Sequence, residues 1–198
     1  MLPKHTIKLV KTICKAKTTM PLLSYALVSD NKLIATDIET TITLPNINSS
    51  PGLYNPRTNT MEFLDMSEFP AVEYKTSPNN ITCTINLESL VIALKHASTD
   101  ETPYVLHGVA VSSKGYCIGC DGHRAYVQAT NNLDVAFILS YQSVKILIEL
   151  MKCLNLKTIS LTYDKTHNTV TSEHFKTRTL NTQYPEISQI LPSSTLCK

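Results

Sequence analysis

The sequence predicts an α+β protein built from a repeated strand–helix–strands unit. Short strand-like runs are bounded by Asn, Asp, Ser, Gly and Pro. Two amphipathic runs each follow such a strand and open on a capping residue, Asn86 and Ser140. The order of a helix followed by strands recurs three times, with a period of about 55–65 residues. The repeat is one of pattern, not of residue identity.

The first round opens with a helix over 5–16. Ile7, Val10, Ile13 and Cys14 fall on one face. Lys4, Lys8, Lys11 and Lys15 fall on a stripe opposite them. Taken by itself, that stripe reads first as an ordinary solvated lysine face. Strands are expected at 22–28 and 32–36, around the turn signal Ser29-Asp30-Asn31, and at 40–44, ending on Pro45. Residues 46–59 read as a loop, 60–64 as one more strand, and 75–80 as a linker.

The second round has a strand at 81–85 and a helix over 87–97 that buries Leu87, Leu90, Val91 and Leu94. Strands follow at 104–112, 116–120 and 124–130. The third round has a strand at 135–139 and a helix over 141–154. Val144, Leu147, Ile148 and Met151 face inward there, and Lys145, Glu149 and Lys152 outward. Strands at 157–163, 168–172 and 175–180 complete it, before an irregular tail from 181.

Composition narrows the class. The 198 residues are 42% hydrophobic and 17% charged, enough apolar surface for a core and unlike a disordered chain. A net charge of +2 neither demands nor excludes nucleic acid, but Lys4, Lys8, Lys11, Lys15 and Lys17 all precede the first acid, Asp30. No run resembles a signal peptide or reaches the length of a membrane span, so a cytoplasmic protein is expected. The six cysteines are then reduced, and most serve as small core residues.

Several segments carry a family resemblance. Gly108–Val111 and Gly115–Ala125, with Asp121-Gly122-His123-Arg124 at its end, resemble the middle domain of bacterial DNA polymerase sliding clamps, the polymerase III beta subunit family. Thr182–Pro192, with Tyr184-Pro185 and Leu191-Pro192, resembles the closing segment of that domain at a fitting distance. Pro21–Leu23, Ala35–Glu39 and Met66–Pro70 resemble parts of the family's first domain. The resemblance covers most of 5–192 with pieces missing. It implies a shortened clamp with a truncated first domain of about one unit (1–78) and a complete domain of two units (79–198), and the reduced size with a Lys-, Asn- and Thr-rich composition suggests a phage or other mobile element. The family's third domain is absent.

The resemblance implies a ring with helices inside and sheets outside. The family ring has twelve units, so three per chain implies a homotetramer. It implies a non-enzymatic processivity factor, without cofactor or metal, in a bacterial or phage-infected cell. Duplex DNA would be met without sequence preference by Lys4, Lys8, Lys11, Lys15, Lys95, Lys145 and Lys152. Polymerase and clamp loader would dock a short peptide motif in a pocket of Leu106, Cys120, Gly122, His123, Arg124, Ala125, Pro185, Gln189 and Ile190. Cys120, Ala125 and Gln189 depart from the family's Thr, Leu and Arg, which puts that pocket in question.

Other readings compete with the clamp. Cys117, Cys120 and His123 have zinc-like spacing, but a strand would point Cys117 and Cys120 to opposite faces. Cys120 or Asp121 beside His123 suggests hydrolytic chemistry, yet no phosphate loop, nucleophile elbow or carboxylate cluster accompanies them. Asp121 itself reads as a turn residue. The runner-up is a clamp-like decoy that binds clamp partners without encircling DNA. Such a decoy has no need of Lys8, Lys11 and Lys15.

Overall fold

The computed structural model describes residues 2–16, 18–45, 47–62, 65–78, 80–100, 106–128 and 134–185. The first round contains α1 (Lys4–Ile13), a 3-10 turn (Pro21–Ser24), β1 (Ala26–Ser29), β2 (Lys32–Thr36), β3 (Thr40–Leu44), β4 (Gly52–Asn55) and β5 (Thr60–Glu62). The second contains β6 (Asn80–Asn86), α2 (Leu87–His96), β7 (Gly108–Ser112), β8 (Cys117–Cys120) and β9 (Ala125–Val127). The third contains β10 (Val135–Ser140), α3 (Tyr141–Cys153), β11 (Thr158–Asp164), β12 (Thr169–Thr171) and β13 (Phe175–Arg178).

Local chemistry sets these boundaries. Asn86 Oδ1 accepts from the Glu88 and Ser89 amides at 2.8 and 3.4 Å, and Ser140 Oγ accepts from the Ser143 amide at 3.1 Å. Asp30 and Asn31 take φ of 50° and 58°, the twisted two-residue turn that joins β1 to β2. The helix expected over 5–16 ends at Ile13, and on α2 Leu90 and Ala93 are buried while Leu87, Val91 and Leu94 are half-buried. Two segments change in kind. Pro21 starts a 3-10 turn, so the strand expected at 22–28 begins only at Ala26. The expected loop at 46–59 contains β4, because Leu53 and Tyr54 are buried by pairing with β1.

The second and third rounds mirror each other. β6 leads α2 but pairs with β11, and β10 leads α3 but pairs with β7. The first amide of each helix is tied across that exchange: Leu87 N donates to Lys157 O at 2.9 Å, and Tyr141 N to His107 O at 3.1 Å. The second and third rounds are thereby interlocked.

The first round joins this pair by its sheet edge. β3 pairs with β13, which gives the nine-stranded order β5-β4-β1-β2-β3-β13-β12-β11-β6. The second sheet is β10-β7-β8-β9. At the joint, the buried hydroxyls of Thr40, Ser143 and Thr177 lie 2.9 to 3.0 Å apart, a closed polar cluster that fixes the register of β3. α1 packs on α3, and α3 on α2, so the three helices form one layer with α3 in the middle. Its apolar residues are buried nearly all round, including Ile146 and Leu150, which the expected inward set omitted. On α1, Leu9 is buried and Ile7 only half-buried.

A second, smaller core lies on the opposite face of the four-stranded sheet. It contains Leu106, Ala110, Ile118, Cys120, Ile138 and Tyr184.

The segment between the first two rounds is held by Asp164. This buried carboxylate accepts from Ser77 Oγ (3.0 Å), from the Ser77 amide, and from the Thr166 amide (2.8 Å); His167 Nδ1 lies 2.9 Å away. Burial alone raises its pKa, but the hydrogen bonds from His167 and Ser77 outweigh that and hold it well below the carboxylate range. A depressed folded pKa stabilises above the unfolded value of about 3.9 and loses its contribution as pH falls through the folded value. We therefore expect Asp164→Asn to lower the melting temperature at pH 7 and to flatten its fall below about pH 4. Melting curves across pH 2–7 check this.

Candidate functional site

Lys4, Lys8, Lys11 and Lys15, on α1 and its exit, share one open groove with Gln142 and Lys145 of α3. The groove exists because α1 lies against α3. Gln142 Nε2 pins the pair by donating to Thr12 O at 2.9 Å. The lysine stripe of the first segment and one lysine of the neighbouring helix thus face the same solvent channel.

Glu149 modifies this surface. Its carboxylate meets Lys8 Nζ at 2.8 Å and Lys152 Nζ at 3.3 Å. Burial raises its pKa, but the two lysines hold it below the usual range, so it stays charged and offsets Lys8 and Lys152. Lys145 has no ion-pair partner among the described residues. Lys95 is exposed in the last turn of α2 and does not line the groove. The sequence led to the lysines but missed the Lys8–Glu149 pair, which joins residues far apart in the chain.

The expected pocket residues gather around the turn after β8. Asp121 Oδ1 accepts from the His123 and Arg124 amides at 3.0 and 2.9 Å, and Oδ2 from Arg124 Nε at 2.8 Å. Those donors, the Arg124 side chain foremost, hold the Asp121 carboxyl well below its ordinary range. Asp121 is thereby a turn-forming residue, and Arg124 is pre-positioned by it. Gly122 has φ of 88° and open space beside it: a Cβ there would have the Leu106 side chain as its nearest neighbour, 4.0 Å away. Leu106 and Cys120 lie in the smaller core, and Ala125 packs against it. His123 and Arg124 are exposed and Pro185 half-buried at its margin. Gln189 and Ile190 lie outside the described residues.

Sequence reasoning missed Tyr184 as a member of this cluster. Its hydroxyl is buried with no hydrogen-bond partner among the described residues; the Cys120 backbone approaches without meeting hydrogen-bond geometry. Burial pushes its pKa up. The apolar ring before Pro185 was the available signal.

The remaining candidates divide on geometry. Cys117 belongs to the main core under the helices and Cys120 to the smaller core, so the strand separates the two thiols. No group of three metal-ligating side chains occurs among the described residues. Burial pushes the Cys14 and Cys117 thiols to about 12 and Cys83 to about 11, which leaves them un-ionised core residues. No described helix is long and apolar enough to cross a membrane. A cavity of about 470 Å³, walled by Val28, Leu44, Ile47, Tyr54, Met61 and Leu154, was not anticipated from the sequence.

No protein-family model matches this sequence, and no curated protein matches it. Solved structures match its fold. The DNA polymerase III beta subunit of Thermotoga maritima superposes with a TM-score of 0.74, over 96% of this chain and 65% of that one, at 18% identity. A DNA polymerase III beta-subunit sliding clamp of Pseudomonas aeruginosa, solved with griselimycin bound, gives 0.67 over 95% and 65%, at 16% identity. This chain has the sliding-clamp fold. The DNA polymerase sliding clamp of Caulobacter crescentus agrees, at 0.68 over 95% and 66% with 17% identity. The chain spans 65% of the length of the Thermotoga clamp. The likeness carried by Asp121–Arg124 and Tyr184-Pro185 therefore extends to the architecture of nearly the whole chain. Within that clamp fold, the lysine groove lies on the helix layer and the smaller core on the far side of the four-stranded sheet.

Proposed function

We propose that this chain is a non-enzymatic DNA sliding clamp that closes as a ring of four copies around duplex DNA. The observation that carries the reading is the convergence of Lys4, Lys8, Lys11, Lys15 and Lys145 on one helix-walled groove of a clamp fold. Long, mobile lysines neutralise phosphates without reading bases, so they hold a duplex without stopping on it. Lys152 and Lys95 contribute from the flanks, Lys152 less because Glu149 offsets it.

Three strand–helix–strands rounds per chain, the first incomplete, suit a twelve-unit ring of four chains. In this reading residues 1–78 are a truncated clamp domain and 79–198 a complete one. The smaller core, bordered by Gly122, His123, Arg124 and Pro185, receives the short peptide motif of a polymerase or clamp loader. The work is done in the cytoplasm, where a phage or bacterial replication machinery operates.

Solution mass tests the ring first. Light scattering across a dilution series is expected to give four times the 22.0 kDa chain mass. A monomer at micromolar concentration overturns the ring and leaves a chain that engages clamp partners without encircling DNA.

A further inference from the structure

The cavity of about 470 Å³ has no role in the proposed ring, and it shares no lining residue with the lysine groove. It lies where α1 begins and α3 ends, over the first-round strands. Val28, Leu44 and Tyr54 reach it from β1, β3 and β4 and are buried; Ile47, Met61 and Leu154 are half-buried around them. His5, Asn48 and Ser49 also line it and are exposed, so the apolar surface is deep and the polar groups stand at the mouth. The Tyr54 hydroxyl already donates to Asn59 Oδ1 at 2.7 Å, so it adds no free donor to the interior. Among the described lining residues there is no Asp, Glu, Lys or Arg. An ammonium or guanidinium taken into the cavity would meet no counter-charge.

The mouth favours the opposite sign. α2 and α3 are capped by the side chains of Asn86 and Ser140, whereas Pro3 gives α1 no side-chain cap and no acid stands in its first turn. The first amides of α1 therefore lack a side-chain acceptor, beside Pro3, His5 and Thr6 of the cavity wall. A helix start of this kind attracts a negative group. We propose that the cavity binds a single-chain carboxylate, with its hydrocarbon tail among Val28, Leu44, Tyr54, Met61 and Leu154 and its carboxylate at the first turn of α1. The cavity carries the recognition: its volume is that of a small-molecule pocket, and apolar walls take an apolar guest in preference to water. The helix start only orients the guest, head outward.

Sodium decanoate, held below its micelle-forming concentration, is the probe, and decanol is the neutral control. Calorimetry on the full chain is expected to give a single decanoate site. Bound decanoate should also protect Cys153, a half-buried thiol on the cavity wall, from iodoacetamide, as read by peptide mass mapping. Leu154→Trp fills the cavity and should lose both effects. His5→Glu sets a carboxylate at the mouth and is expected to weaken decanoate binding by about fivefold or more while leaving decanol binding unchanged. An absence of saturable binding, or binding that survives Leu154→Trp, overturns the site. Equal affinity for decanoate and decanol, undisturbed by His5→Glu, overturns the carboxylate assignment. If Leu154→Trp loses its folded circular dichroism spectrum, His5→Glu and the protection of Cys153 decide.

Discussion

Replacing Lys4, Lys11, Lys15 and Lys145 together by Glu is expected to abolish retention on closed circular duplex and to weaken duplex binding by well over about tenfold at moderate salt. All four line the groove, and none of them has an ion-pair partner among the described residues. The logarithmic salt dependence of binding should become shallower by about 0.9 for each lysine that touches a phosphate. The loss should be alike for all duplex sequences, because phosphate contacts carry no base information.

Lys8 provides the internal contrast. Its ammonium already meets Glu149 at 2.8 Å, so Lys8→Ala should cost less than Lys11→Ala. Glu149→Gln should strengthen binding by releasing Lys8 and Lys152. Fluorescence anisotropy over a salt series reads all of these. A fourfold variant that binds as the parent chain does removes the groove from DNA contact.

Gly119→Ala is expected to be the most damaging single methyl in the protein. Gly119 shares the helix-facing side of β8 with Cys117, and a Cβ there would lie 1.9 Å from Ala93 O and 2.7 Å from Ala93 C. Both atoms are backbone of α2, so no side chain can rotate away. The helix must lift off the strand and open the main core, at a cost of about 3 kcal/mol or more. That corresponds to a fall in melting temperature of roughly 6–12 °C for a chain of this size. Gly122→Ala meets open space and pays only for its positive φ, so about 1 kcal/mol is expected. Thermal melts of the two variants side by side check the argument. Equal losses would mean that β8 and α2 are less tightly held than the 1.9 Å approach requires.

How much was legible depended on the range of the interaction. α2 and α3 were readable because their caps and apolar spacing lie within a few residues of each other, as Asn86–Ser89 and Ser140–Ser143 do. β4 was not, since Leu53 and Tyr54 acquire their burial from β1, across an intervening hairpin. Pro21–Ser24 was misjudged because Leu22 and Leu23 suit a strand as well as a turn until their neighbours are known.

The candidate site divides along the same line. Lys4, Lys8, Lys11 and Lys15 were visible as a helical stripe, and Asp121 as a turn residue, because both are local patterns. The succession of a helix and strands in three rounds, the lysine stripe and the capping residues were thus determined by the sequence itself, through hydrogen bonds and periodicities that span one or two turns of chain. Only the tertiary structure decided that Lys145 joins the stripe, that Glu149 neutralises Lys8, that Tyr184 closes the smaller core, and that β3 continues the sheet at β13. Those outcomes depend on which distant segments exclude water from one another, and the periodicity of a segment marks that it has a buried face without naming the segment that covers it.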